Sequence, residues 1–116
     1  MRVVIGGQLG KEEIRACVES SGVEGLSVEV KDDVSAAMDI KQGRADYYLG
    51  ACLTGGGGAL AMAIAILGYD ACKTLDSADV QEVASALDSG ARAFGFTPQL
   101  TAQVVPVIMS ELAKRA

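Results

Sequence analysis

The sequence predicts an α/β domain: a three-layer sandwich around a five-stranded, parallel, doubly wound sheet in the order 2-1-3-4-5. Three observations predict it. Short apolar runs alternate with segments of helical period along all 116 residues. The first run, Val3-Val4-Ile5, is continuous and β-branched, as suits a strand buried on both faces. Right-handed crossovers then place helices on both sides of the sheet.

Each element has a local reason. After the strand Val3–Ile5, the segment Lys11–Ser20 puts Ile14, Cys17 and Val18 on one helical face, and Gly22 suits its stop. Leu26, Val28 and Val30 alternate as a second strand. Asp32 and Asp33 are good N-caps for a helix over Val34–Gln42, whose inner face reads as Val34, Ala37 and Met38. Asp46–Leu49 reads as the third strand. The glycine-rich turn Cys52–Gly58 follows it, and then a helix over Ala59–Leu67. That helix is apolar all round and needs cover on every side. Ala71–Leu75 reads as strand four. Asp79 with Glu82 resembles a capping box for the helix carrying Val80, Val83, Ala84 and Leu87. Arg92–Phe96 reads as strand five. Thr97 as N-cap and Pro98 at the first helical position open the last helix, which Pro106 should kink. Leu100, Val104, Val107, Ile108 and Leu112 face inward. The whole chain, 1–116, reads as one domain of Rossmann or flavodoxin type.

Composition excludes several classes of function. The net charge is −5 and the ten basic residues are scattered, so no nucleic-acid partner is expected. The longest apolar run, Ala59 to Leu67, falls short of the roughly twenty residues a membrane span needs. Cys17, Cys52 and Cys72 make an odd count without C-x-x-C spacing, which fits a reducing, cytoplasmic setting. There is no histidine, the commonest metal ligand and usual general base. Neither a metal nor a cofactor is expected.

Ligands of such sheets bind at the carboxyl ends of the strands, near the switch in strand order. Two glycine-rich turns meet there: Gly6-Gly7-Gln8 after strand 1, and Cys52–Gly58 after strand 3. Glycine lets backbone approach a ligand closely, and a helix start supplies unpaired N–H groups. The candidate ligand-binding residues are Gly6, Gly7, Gln8, Cys52, Thr54, Gly55, Gly56, Gly57, Gly58 and Thr97. The ligand class is a small anionic metabolite. The alternative is a turn packed closely against partner backbone. No Lys-Ser or Lys-Thr follows the glycines, so this is not a Walker loop. Cys52 is the candidate catalytic group, since a thiol near a helix start can act as base or nucleophile; its alternative is a small core residue. Tyr47 and Tyr48 face opposite sides of strand 3 and read as packing groups.

Gly6-Gly7-Gln8, the stretch from Ala45 to Gly68, and Ala93-Phe94-Gly95-Phe96-Thr97 resemble the YhfU-like bacterial family over nearly the whole chain. That resemblance implies a role in handling small metabolites. Cys52-Leu53-Thr54-Gly55-Gly56-Gly57 is also similar to the C-G-T-G-x-G turn of type B ribose-phosphate isomerases. This second resemblance implies a homodimer with Cys52 as proton-abstracting base and turn amides holding an enediolate. The chain departs from it at Gln8 and Leu9, where that family carries Asp-His, and in lacking its other histidine and a counterpart to its phosphate-binding arginines. A phosphotransferase IIB-type domain would carry a cysteine after strand 1, where this chain has Gly6-Gly7-Gln8. Three functions remain: a binding domain for a small anionic, sugar-phosphate-like metabolite, an isomerase-like enzyme using Cys52, and a structural or accessory subunit of a transport or metabolic system.

Overall fold

The computed structural model describes residues 1–53 and 57–115. Five strands, β1 (Arg2–Gly7), β2 (Ser27–Val30), β3 (Tyr47–Ala51), β4 (Cys72–Thr74) and β5 (Ala93–Phe96), alternate with five helices. These are α1 (Lys11–Glu19), α2 (Asp33–Lys41), α3 (Gly57–Leu67), α4 (Val80–Asp88) and α5 (Thr101–Arg115). Short 3-10 turns over Tyr69–Ala71 and Pro98–Leu100 precede β4 and α5. Every strand pair is parallel.

The sheet order is β2-β1-β3-β5-β4. The doubly wound, three-layer class is as expected, and so are the places of β2, β1 and β3. The last two strands are exchanged relative to the expected 2-1-3-4-5. The physical reason is burial. All four residues of β5 are buried, so it belongs inside the sheet. β4 is short, partly exposed and carries Lys73, as suits an edge. The chain therefore passes over the place of β5 to reach β4, then returns. Reversing direction with right-handed crossovers moves α4 to the opposite face from α3.

Alternation along the strands builds two cores. Val3, Ile5, Leu49, Phe94 and Phe96 pack under α1, α4 and α5 with Ile14, Val83, Val104 and Ile108. Val4, Tyr48 and Ala93 pack under α2 and α3 with Ala36, Ala37, Leu60 and Ala63. The inner face of α2 is Ala36, Ala37 and Ile40, and Val34 is exposed instead. Its N-cap is Asp32, whose carboxylate accepts the Ser35 N–H at 2.9 Å. Asp79 accepts from Gln81 and Glu82 at the start of α4. Glu82 does not return the bond of a full capping box; it pairs with Lys73 across to β4. α5 runs unbroken through Pro106.

One buried carboxylate ties this frame together. Asp39 in α2 is almost fully buried and pairs with Lys31, just beyond β2, and with Arg44 at 3.0 Å. The Lys31 hydrogen bond, foremost, holds its carboxyl below the ordinary range, with Arg44 assisting against the cost of burial. A depressed carboxyl pKa stabilises the fold at pH above the ordinary carboxylate value, and that contribution is lost as pH falls through the folded value. Asp39→Ala is expected to cost about 1–3 kcal/mol at pH 7, because Lys31 keeps only part of its solvation. Urea denaturation at pH 7 and below pH 4 checks this: the difference from wild type should shrink in acid, and a constant difference would contradict the pairing.

Candidate functional site

The carboxyl edge of the sheet is built on an aligned row of glycines. Gly6 of β1 pairs in register with Gly50 of β3, and Gly50 with Gly95 of β5. All three lie on the face turned to α2 and α3. Two residues earlier on β3, Tyr48 rises along that face. A Cβ on Gly6 would lie 2.6 Å from Tyr48 Cε2, and one on Gly50 would lie 3.1 Å from Cε1. The fully buried ring therefore spans the β1/β3 seam in space that only glycine leaves. Gly7, at φ +82°, sits so close to Ala51 that a side chain would strike the β3 backbone at 2.7 Å.

The turn after β1 is held by two oxygens of β3. The Gly7 N–H donates to the Tyr48 hydroxyl at 3.0 Å. The Gln8 and Leu9 N–H groups both donate to the Ala51 carbonyl, at 3.0 and 3.4 Å. Burial, foremost, pushes the Tyr48 phenol well above its ordinary value of 10.0, so the hydroxyl stays protonated. The amides of this turn are thus engaged within the protein. What it offers to a ligand is the exposed Gln8 side chain. Gly6 and Gly7 are buried, and close packing accounts for both.

The residue that follows β3 is bonded to the end of β5. Cys52 N–H donates to the Phe96 carbonyl at 3.2 Å. A Cβ on Gly10 would lie 3.9 Å from Pro98, so the start of α1 adjoins the 3-10 turn that leads into α5. Three turns from three adjacent strands therefore meet.

Charge distinguishes the helix starts gathered at this edge. Each carries the positive end of a helix dipole. Glu12 and Glu13 lie in the first turn of α1; Asp32 and Asp33 begin α2; Asp79 and Glu82 begin α4. α3, the turn Pro98–Leu100 and α5 have no acidic residue in their first turns. Those are the two starts on β3 and β5, beside the β1/β3 switch.

Of the candidate residues, Gly6 and Gly7 are packed into the β1/β3 seam. Gln8, Cys52, Gly57, Gly58 and Thr97 lie along this edge. Cys52 is fully buried at the mouth of the turn. Thr54, Gly55 and Gly56 lie outside the described residues. Thr97 holds the N-cap position, but its hydroxyl makes no cap hydrogen bond. Pro98 has no N–H, and the Leu100 N–H donates to the Thr97 carbonyl at 3.0 Å rather than to the hydroxyl. Cys17 and Cys72 lie elsewhere, half-buried rather than in the core; burial pushes the Cys72 thiol up. Tyr48 is a packing residue, as the sequence predicts, but neither its bond to Gly7 nor the glycine row is visible there. Gly95 was visible there, but its alignment with Gly6 and Gly50 depends on register. Away from this edge, a groove of about 580 Å³ lies between α1 and α5.

A family model described as protein of unknown function DUF2620 matches residues 1–112. The chain belongs to this family. DUF2620 membership agrees with the relatives: the YhfU proteins of Escherichia coli K12 and Shigella flexneri are each 32% identical over 108 residues, spanning 90% of this chain and 92% of theirs. Among solved structures, ribose-5-phosphate isomerase B of Thermotoga maritima superposes with a TM-score of 0.62 at 17% identity, covering 94% of this chain and 86% of that one. The enzyme from Giardia lamblia gives 0.61 at 18%, covering 95% and 87%. At these identities the likeness is one of fold.

The glycine at position 6 has a direct test. Gly6→Ala should destabilise by about 1–3 kcal/mol, because a methyl group cannot share the seam with the Tyr48 ring. Denaturant midpoints measure this. A neutral substitution would contradict the packing.

Proposed function

We infer that the chain binds a small anionic metabolite, of sugar-phosphate type, where the turns after β1, β3 and β5 meet. The observation that carries this is the pair of helix starts without carboxylates. The other three hold their own negative charge; α3 and the Pro98–Leu100 turn leave theirs for an external anion. In this reading the amides of Thr54–Gly58 receive the anion, Gln8 reaches a ligand hydroxyl, and Thr97 supplies a hydroxyl donor. The shared fold with ribose-5-phosphate isomerase B supports a sugar phosphate as the class to test first. The odd number of cysteines supports a reducing, cytoplasmic setting.

The isomerase-like alternative would use Cys52 as the base. Its complete burial, and a chain without histidine, favour binding over that chemistry. The test is a thermal-shift series with ribose 5-phosphate, inorganic phosphate and small carboxylates at low salt. Wild type should be stabilised, and Cys52→Ser should keep the shift. Gln99→Glu places an isosteric carboxylate on an exposed residue of the Pro98–Leu100 turn. It should raise the stability of the free protein by about 0.3–1 kcal/mol and yet weaken binding at least about tenfold. Unchanged binding in Gln99→Glu would contradict this placement. No stabilisation of wild type by any compound would favour the structural-subunit alternative.

A homodimer accompanies this reading. α3 carries no charge, and Ala61, Met62 and Ala65 are exposed along one side, with Leu53 and Tyr69 exposed near its two ends. An uncharged face can meet its own copy about a two-fold axis without desolvating ions. Sedimentation should give a dimer for wild type and a monomer for Met62→Glu. A monomeric wild type at micromolar concentration would contradict the proposal.

A further inference from the structure

We propose that Tyr48 is a positioning residue of this site, acting through Gly7 to fix the place of Gln8. The proposal rests on the anion-binding reading above and assigns it a specificity element. Tyr48 is a core residue by burial, but packing alone does not require its hydroxyl. The ring spans the seam, its carbon atoms against Gly6 and Gly50 and its hydroxyl oxygen over Gly6 as well. Beyond that packing, the oxygen accepts the buried Gly7 N–H at 3.0 Å, one residue before Gln8.

The geometry couples that bond to Gln8. Gly7 has φ +82°, so the chain turns sharply there and its direction afterwards depends on how that one residue is held. The carbonyl of Ala51 holds the peptides that follow. Both anchors lie on β3, the strand that leads into the glycine turn. Gln8 is thereby registered against the β3 edge rather than against its own strand. Phenylalanine would keep the ring and leave the Gly7 N–H buried without its acceptor, which costs more than a hydrogen bond exposed to water. The turn can recover that loss only by moving, and Gln8 moves with it.

The experiment is a double-mutant cycle on Tyr48→Phe and Gln8→Ala, with ribose 5-phosphate as probe. Each single variant should lose about tenfold in affinity. The double variant should lose no more than either alone, because a misplaced Gln8 contributes nothing that alanine removes. Additive losses, wild-type affinity in Tyr48→Phe, or a Tyr48→Phe protein that no longer unfolds cooperatively would each overturn the proposal. If wild type does not bind the probe, the anion-binding reading is what fails. The positioning claim is then decided by amide NMR. Loss of exchange protection at Gly7, with displaced Gln8 backbone and side-chain amide signals in Tyr48→Phe, supports it; unchanged signals overturn it.

Discussion

The Tyr48 hydroxyl and the Ala51 carbonyl, two oxygens of the central strand, hold the turn that follows β1. That hold lies at a crowded point of the molecule. Gly6, Gly7 and Gly50 lack side chains there because a phenol ring and a neighbouring backbone occupy the room. Glycine in a strand interior weakens the strand and has too little side chain to pack. Here the loss is offset by a buried aromatic ring and by β1 and β3 carrying their chains to the same edge in register.

With the amides of the first turn engaged internally, the proposed anion site falls to the other two. Parallel α/β sheets bring all their helix starts to one side, and each needs negative charge or hydrogen-bond acceptors. This chain supplies its own carboxylates to α1, α2 and α4 and withholds them from α3 and the turn before α5. A chain of net charge −5 does not lack acids to place there. Their distribution separates helix starts that carry their own carboxylates from those that do not.

Much of the architecture was legible in the sequence because it rests on local signals. Alternating runs gave five strands and five helices, and Asp32 and Asp79 marked helix starts that the structure caps with those same residues. The exchange of β4 and β5 depends on which strand tolerates solvent. Lys73 was the available clue, and the uninterrupted burial of Ala93–Phe96 decided the matter. The candidate edge was legible at Gln8, Cys52 and the glycine turn. The role of Tyr48 was not, since its bond to Gly7 joins residues 41 apart and exists only where register sets Gly6 beside Gly50. The charge pattern at the helix starts was present in the sequence throughout. It acquired meaning once the five starts stood along one edge.

The most direct measurement is a titration of the isotope-labelled protein with inorganic phosphate at low salt, read residue by residue through its amide NMR signals. The account predicts the largest saturable changes at Gly57 and Gly58 and at Gln99 and Leu100, with the signals of Glu12, Asp33 and Gln81 nearly still. Changes centred on the starts of α1, α2 or α4, or a uniform drift without saturation, would contradict it.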